Sequence, residues 1–205
     1  GYTGTITQSS DMYISGYSQS GGTFTGVTTK WIYCSGDFTQ SAGTFTDKLS
    51  SLYFNTDAVL TKLSSGGIVH LKTDSTVTLS GTGSPTFYSI TILDGGNLII
   101  PSGKTAYMSF RAPSSKFVNN GVISGDGTLI YKCLNVEAAN PNIYLNDTNI
   151  NIAFTNIAGV NIVFGLYTDG NIKSLTISSG HAVNTCTLDL NGHNLTCSSL
   201  TVSTR

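Results

Sequence analysis

The feature that most constrains the fold is a short phrase, repeated along the chain, in which a glycine corner leads into alternating polar and apolar residues. Its clearest copies, SQSGGTFT at 18–25 and TQSAGTFT at 39–46, are identical at six of eight positions. Together with looser copies, these place corner glycines at positions 22, 43, 67, 96, 127, 170 and 192. Glycine allows the positive φ of a tight corner, and the alternation after it is typical of a strand. A unit of strand, corner and strand of about 20 to 30 residues is the period of stacked β-solenoid coils.

The repeats predict an all-β fold. A second phrase occurs as SLTIS at 174–178 and again as SLTVS at 199–203, an interval similar to that of the first phrase. We expect residues 1–205 to form one elongated β domain, a β-solenoid or parallel β-helix with irregular coils, with a sub-boundary near 64–67. The alternative is an antiparallel β-sandwich, because its short alternating strands leave a similar pattern.

Residues 46–63 fit two local structures. The apolar residues of TDKLSSLYFNTDAVLTKL have near-helical spacing, and Thr46 or Asp47 is a suitable helix cap. The turn-like triplet at 55–57, Asn-Thr-Asp, divides the same segment into two short strands equally well.

Three longer stretches resemble a known class of repeat. They are GGNLIIPSGKTAYMSF at 95–110, FVNNGVISGDGTLIY at 117–131 and LTISSGHAVNTCTLDLNGHNLTCSSLTV at 175–202. These stretches resemble the β-helical repeats of secreted surface proteins, among them bacterial adhesins, phage tail spikes and archaeal surface or sheath proteins. The resemblance implies a parallel β-helix with an extracellular structural or adhesive role. No functional residue is carried over, because the matching positions are turn and core residues.

Charge and composition argue against two classes of partner. Charged residues are 10% of the chain and the net charge is −1, so nothing indicates a nucleic acid partner. The longest uncharged run, 148–168, contains four asparagines, which excludes it as a membrane helix. The chain starts at Gly1 rather than Met, so we expect a processed, extracellular protein. From the asparagine-interrupted run we expect no membrane insertion.

The sequence contains no recognisable arrangement of catalytic residues. No two of the 11 acidic residues lie within three positions of each other, whereas glycoside hydrolysis needs two facing carboxylates. The three histidines are isolated, and no zinc-ligand spacing or nucleophile elbow occurs. We therefore predict a protein that is not an enzyme and has no metal and no cofactor.

The segment 149–167 is the predicted assembly interface. It carries no charge and no proline, the devices that soluble proteins use to block exposed strand edges. Its alternation of asparagine with isoleucine is typical of stacked cross-β contacts. The predicted interface residues are Asn149, Ile150, Asn151, Ile152, Phe154, Ile157, Asn161, Ile162 and Phe164.

These observations favour a structural role. We expect a non-catalytic subunit of a self-assembling extracellular filament, sheath or surface layer, whose main partner is a second copy of itself. The alternative is a carbohydrate-binding or adhesive module, such as a phage receptor-binding spike, that uses exposed tyrosines on glycans. A third hypothesis is an ice-binding solenoid, which needs Thr-x-Thr in register on successive coils, and TFT occurs only at 23 and 44.

Two modifications are also predicted. Asn191-Gly192 is a strong signal for a tight hairpin, which places Cys186 opposite Cys197 at a distance suitable for a disulfide. Cys34 and Cys133 are left either to pair over a long loop or to link subunits. Asn146, in the sequon Asn-Asp-Thr, is the candidate glycosylation site.

Overall fold

The chain is all-β in a computed structural model that describes residues 3–27, 29–46, 51–62, 67–110, 117–133, 141–145, 148–180 and 182–204. No helix occurs among these residues. The first ten strands are β1 (Thr5–Thr7), β2 (Met12–Ile14), β3 (Tyr17–Thr25), β4 (Trp31–Cys34), β5 (Phe38–Thr46), β6 (Ser51–Phe54), β7 (Ala58–Thr61), β8 (Gly67–Thr73), β9 (Thr76–Ser80) and β10 (Thr86–Ile92). The other ten are β11 (Asn97–Ile99), β12 (Thr105–Phe110), β13 (Phe117–Asn119), β14 (Val122–Cys133), β15 (Asn142–Ile143), β16 (Thr148–Asn156), β17 (Ile162–Leu166), β18 (Gly170–Ser179), β19 (Cys186–Asp189) and β20 (Leu195–Thr204).

All strand pairings in the described part of the chain are parallel. Each strand pairs with one that lies a full turn away along the chain, as Thr5 pairs with Thr23 and Ile90 with Phe117. Parallel pairing needs a connection that returns the chain to its starting edge, and here each complete turn supplies it. The predicted β-solenoid is therefore confirmed, and the sandwich alternative is wrong.

A buried glutamine holds the corner that the repeated phrase forms near the start of the chain. Gln40 is fully buried, and its Nε2 donates a hydrogen bond to the carbonyl oxygen of Gly43 at 3.1 Å. One turn earlier, Gln19 makes the equivalent bond to Gly22 at 3.2 Å. Both glycines have positive φ, 64° at Gly22 and 87° at Gly43, a conformation that residues with a Cβ rarely adopt. The two copies of the repeated phrase thus form the same glycine corner.

Inward side chains form continuous columns along the solenoid. Because the pairing is parallel and in register, each inward residue lies beside an inward residue of the next turn. Tyr131 opposes Phe154, and their rings stack with centroids 5.2 Å apart. Phe24 likewise opposes Phe45, and their rings meet edge to face with centroids 5.8 Å apart. The buried apolar residues form one cluster that these columns extend through.

The helix considered for 46–63 is wrong within the described residues. The segment instead contains β6 and β7, separated by a corner at 55–57. Burial alternates with period two, so that Leu52 and Phe54 point inward while Tyr53 is half-buried on the other side. Positions 47–50 and 63 lie outside the described residues, as do 64–66, where the sub-boundary was expected.

The hairpin predicted at Asn191-Gly192 is a solenoid corner. Both residues have positive φ, 47° and 81°, as a tight two-residue turn requires. The strands on either side nevertheless join different neighbours, since Cys186 pairs with Ile162 while Cys197 pairs with Ile172. All four cysteines are free, so the structure contains no disulfide between Cys186 and Cys197.

Candidate functional surfaces

The predicted interface of 149–167 lies mainly inside the chain's own core. Its members Ile150, Ile152, Phe154, Ile162 and Phe164 are buried, Asn151 is half-buried, and Asn149, Ile157 and Asn161 are exposed. The amide groups contact neighbouring turns: Asn151 Nδ2 donates to the carbonyl oxygen of Gly127 at 2.9 Å, and Asn161 Oδ1 accepts from the Thr185 backbone at 2.9 Å. The buried members are therefore not available to a partner, and Asn149, Ile157 and Asn161 remain as accessible surface.

The last described strand leaves apolar side chains uncovered. Leu200 pairs with Leu175, which is 5% exposed, but Leu200 itself is 60% exposed. Val202 pairs with Ile177 and is 67% exposed. Leu200 continues a column that is buried in the preceding turns, and Val202 continues one in which Phe154 is buried and Ile177 is half-buried. We call the outer edge of β20, with Leu200 and Val202, the open end.

The first turn also leaves an inward residue uncovered. Ile6 in β1 pairs with Phe24, and although Phe24 is buried, Ile6 is 47% exposed. Among the described strands, β1 pairs only with β3, and β20 pairs only with β18. Each therefore has one edge whose backbone groups face away from the other described strands, which is the template that another strand can use.

A second surface consists of aromatic side chains on the outside of β2, β4, β6 and β8. We call it the aromatic face, and its members are Tyr13, Trp31, Tyr33, Tyr53 and His70. Strand register aligns the three tyrosines on consecutive turns. Tyr13 and Tyr33 stack with centroids 4.6 Å apart and planes 5° apart. Tyr13 is 77% exposed, so the stack opens to solvent at this end.

The indole of Trp31 lies across the sheet rather than along the tyrosine column. Trp31 pairs with Ser51 on the next turn, and its ring centroid is 5.1 Å from that of His70, which lies one turn beyond Ser51. Since neighbouring strands are about 4.8 Å apart, this contact requires the indole to reach over Ser51. Ser51 is accordingly buried. The aromatic face thus combines stacked phenol rings with an indole that covers the sheet.

Hydrogen bonds and charges fix the border of the aromatic face. The Asp11 carboxylate accepts a hydrogen bond from the Trp31 backbone N–H at 2.9 Å. Tyr53 donates its hydroxyl to Asp74, and this bond raises the pKa of the Tyr53 phenol. The Lys72 ammonium lies 4.7 Å from the centroid of the Tyr53 ring. These contacts set two carboxylates and one ammonium group beside the rings, so they give the border no surplus of positive charge.

A ladder of threonines occupies a third surface, on the first three turns. Its register positions are Thr5, Thr7, Thr23, Thr25, Thr44 and Thr46. The structure therefore has three Thr-x-Thr rungs, one more than the two TFT copies found in the sequence. The later ladder formed by β12, β14 and β16 has Tyr107, Ile130 and Ala153 at successive paired positions, so the threonine array does not extend along it.

Titratable side chains are scattered across the described turns. No group of three or more His, Cys, Asp and Glu residues that could hold a metal occurs among the described residues. Asp169 lies near His193, with Oδ1 3.4 Å from Nδ1, and a hydrogen bond from the Asn194 backbone lowers the pKa of the Asp169 carboxyl. Within the same residues, no helix is long and apolar enough to cross a membrane. Asn146 lies outside the described residues.

Comparison with protein-family models, with curated proteins and with solved structures finds no match to this chain. The fold and the three surfaces are therefore the basis for a functional assignment. The aromatic face was not predicted as a site, although the tyrosines at 13, 33 and 53 are evenly spaced in the sequence. In a solenoid whose turn length is known, tyrosines at this constant spacing fall in one column. The spacing is therefore the sequence signal for this surface.

Proposed function

We propose that the chain is a non-catalytic structural subunit of an extracellular filament, sheath or surface layer, in which copies stack end to end. The observation that carries the proposal is the open end, where Leu200 and Val202 continue inward columns but are themselves 60% and 67% exposed. An uncovered strand edge with exposed apolar side chains is a surface on which another strand can pair. We propose that the first turn of a second copy covers these side chains.

The geometry of the two ends supports this arrangement. All described turns wind in the same direction, so a copy added along the axis offers β1 parallel to β20. In the proposed register, Val202 lies beside Ile6 of the next copy, since both belong to inward columns. Thr201 then lies beside Thr5 on the outside. A head-to-tail contact of this kind does not close on itself, so copies add without limit.

The composition of the two edges also supports association. β20 contains no Lys, Arg, Asp, Glu or Pro along its whole length. The strands β1, β2 and β3 contain none of these residues either. Soluble proteins place such residues on strand edges to prevent pairing with another chain. Their absence from both edges favours an end-to-end contact.

A charge at the open end tests the proposal. Val202→Lys places an ammonium group in the proposed contact, and Val122→Lys is the matched control because Val122 is 40% exposed on a lateral strand. Sedimentation velocity and electron microscopy at rising concentration should show filaments for the wild type and for Val122→Lys. Val202→Lys should remain monomeric and folded. If the wild type stays monomeric throughout, or if Val202→Lys assembles normally, the proposal is wrong.

Cross-linking tests the register itself. In the proposed contact Ser203 lies beside Thr7 of the next copy, so the double variant Ser203→Cys/Thr7→Cys should form a disulfide between copies on oxidation. Non-reducing electrophoresis should show a ladder of oligomers that reductant collapses to monomer. Each single variant serves as a control and should lack the ladder. Filaments that form without this cross-link would contradict the register while retaining assembly.

A further inference from the structure

We propose that the aromatic face binds a neutral polysaccharide, with sugar rings lying against Tyr13, Tyr33 and Trp31. The aromatic face runs along β4, β6 and β8 and ends at Tyr13 in the first turn, whereas the open end is formed by β20, so binding is tested both with and without assembly. A pyranose ring presents a flat array of C–H groups on each face and hydroxyl groups around its edge. Aromatic rings match the faces of such a ligand, and hydrogen-bonding groups beside them match its edge.

The first step is that the aromatic face is preformed. Tyr13 and Tyr33 are held parallel, 4.6 Å apart, and Trp31 is held by its backbone bond to Asp11 and by its ring contact with His70. Side chains that are already ordered lose little conformational entropy on binding. Tyr13 is exposed and the other four members are half-buried, and an aromatic patch that opens to solvent is a candidate binding site.

The second step concerns the shape of the ligand. Tyr13, Tyr33 and Tyr53 lie on consecutive turns, so the aromatic groups repeat about every 4.8 Å along the solenoid axis. A small molecule would contact only one turn. A linear polymer that lies along the axis would span all three turns, where it would meet the edges of the stacked Tyr13 and Tyr33 rings and the indole of Trp31.

The third step concerns charge. Protein surfaces that stack single-stranded nucleic acid on aromatic rings combine those rings with a positively charged groove. Here two carboxylates, Asp11 and Asp74, lie beside the rings together with the ammonium group of Lys72. This border repels a polyanion and leaves carboxylate oxygens that accept hydrogen bonds from hydroxyl groups. The charge pattern therefore selects a neutral, hydroxyl-rich polymer over nucleic acid or an acidic polysaccharide.

Affinity electrophoresis tests the proposal with defined probes. Native gels that contain hydroxyethylcellulose, laminarin, a soluble mannan or a soluble galactan would be compared with gels that contain heparin or poly(dT). We expect retardation by at least one of the four neutral polymers and none by the two polyanions. Tyr13→Ala and Trp31→Ala should each weaken that retardation at least tenfold.

The controls separate binding from folding and from assembly. Tyr167→Ala is the matched variant, because Tyr167 is 45% exposed beside a different set of strands, and it should bind as the wild type does. Tyr13→Ala keeps the test valid if Trp31→Ala unfolds, since Tyr13 is the most exposed member of the aromatic face. Running the gels with Val202→Lys shows whether binding survives without assembly. The proposal is overturned if none of the neutral polymers binds, if a polyanion binds more tightly, or if Tyr13→Ala changes only self-association.

Discussion

The buried amide of Asn156 donates a hydrogen bond to the carbonyl oxygen of Thr185, one turn further along the chain, at 2.7 Å. The same amide nitrogen also donates to the carbonyl oxygen of Val160 at 2.7 Å, and Oδ1 accepts from the backbone N–H of Ala158 at 3.0 Å. One side chain thus satisfies three backbone groups at a corner where the ladder of β16 has ended. Corners of the solenoid depend on such contacts because they lack regular strand partners.

The first prediction is that Asn156→Ala destabilises the fold. The substitution leaves three backbone groups without their partner, and each buried polar group that loses its bond costs about 1–3 kcal/mol. Because water can reach part of this corner, we expect a total loss of about 3 kcal/mol in the free energy of unfolding, measured by urea denaturation. Asn149→Ala is the control, since Asn149 is exposed, and it should change stability by less than about 0.5 kcal/mol. Equal effects of the two variants would contradict the structural role of Asn156.

A second prediction distinguishes two reasons why a corner requires glycine: the strain of a positive φ and the lack of space for a Cβ. Gly125 and Gly103 both have positive φ, 116° and 73°. A Cβ at Gly125 would lie 2.2 Å from the carbonyl oxygen of Ile100, whereas nothing lies within 4 Å of a Cβ at Gly103. We expect Gly103→Ala to cost about 1 kcal/mol from backbone strain alone, and Gly125→Ala to cost at least about 3 kcal/mol. Thermal unfolding of the two variants measures the difference, and similar values for both would show that the close turn-to-turn contact is unimportant.

The parallel solenoid could be predicted from the sequence because glycine corners and alternating strands together define a turn length. The interface could not be located in the same way. Period-two alternation shows that Ile150, Ile152 and Phe154 share one side of a strand, but it does not show whether that side faces the chain's own core or a partner. In the structure it faces the core, and the same ambiguity applies to any uncharged strand in a solenoid.

Local turn chemistry was likewise predictable, whereas strand partners were not. Asn191 and Gly192 adopt the positive φ values that their sequence indicates, but a two-residue turn of this kind fits a hairpin or a solenoid corner equally well. The neighbours of Cys186 and Cys197 are Ile162 and Ile172, which belong to the preceding turn. Only the register of the whole solenoid determines them.

A third prediction concerns the reactivity of Cys186. Burial raises the pKa of its thiol to about 11, from an ordinary value of 9.0, and only the thiolate reacts with alkylating agents. At pH 8 we therefore expect alkylation of Cys186 by iodoacetamide to be on the order of a hundredfold slower than that of an ordinary cysteine. Thr187→Cys supplies the comparison, because Thr187 is exposed on the same strand. Rapid alkylation of Cys186, or its recovery in a peptide linked to Cys197, would contradict the structure.

The last prediction is a loss of stability at mildly acidic pH that originates at His70. Burial, together with the nearby charge of Lys72, lowers the pKa of the His70 imidazole from 6.5 to about 4. The unfolded chain therefore binds a proton at higher pH than the folded chain does, so the contribution of His70 to stability is complete above pH 6.5 and is lost as the pH falls towards 4. One pKa unit corresponds to about 1.4 kcal/mol, and with solvent screening at this half-buried position we expect the loss to reach about 2 kcal/mol. Urea denaturation of the wild type and of His70→Gln between pH 8 and pH 4 measures it: the stability difference between them should be constant above pH 7 and should shift in favour of the variant below pH 6. A difference that does not change with pH would mean that His70 titrates normally in the folded protein.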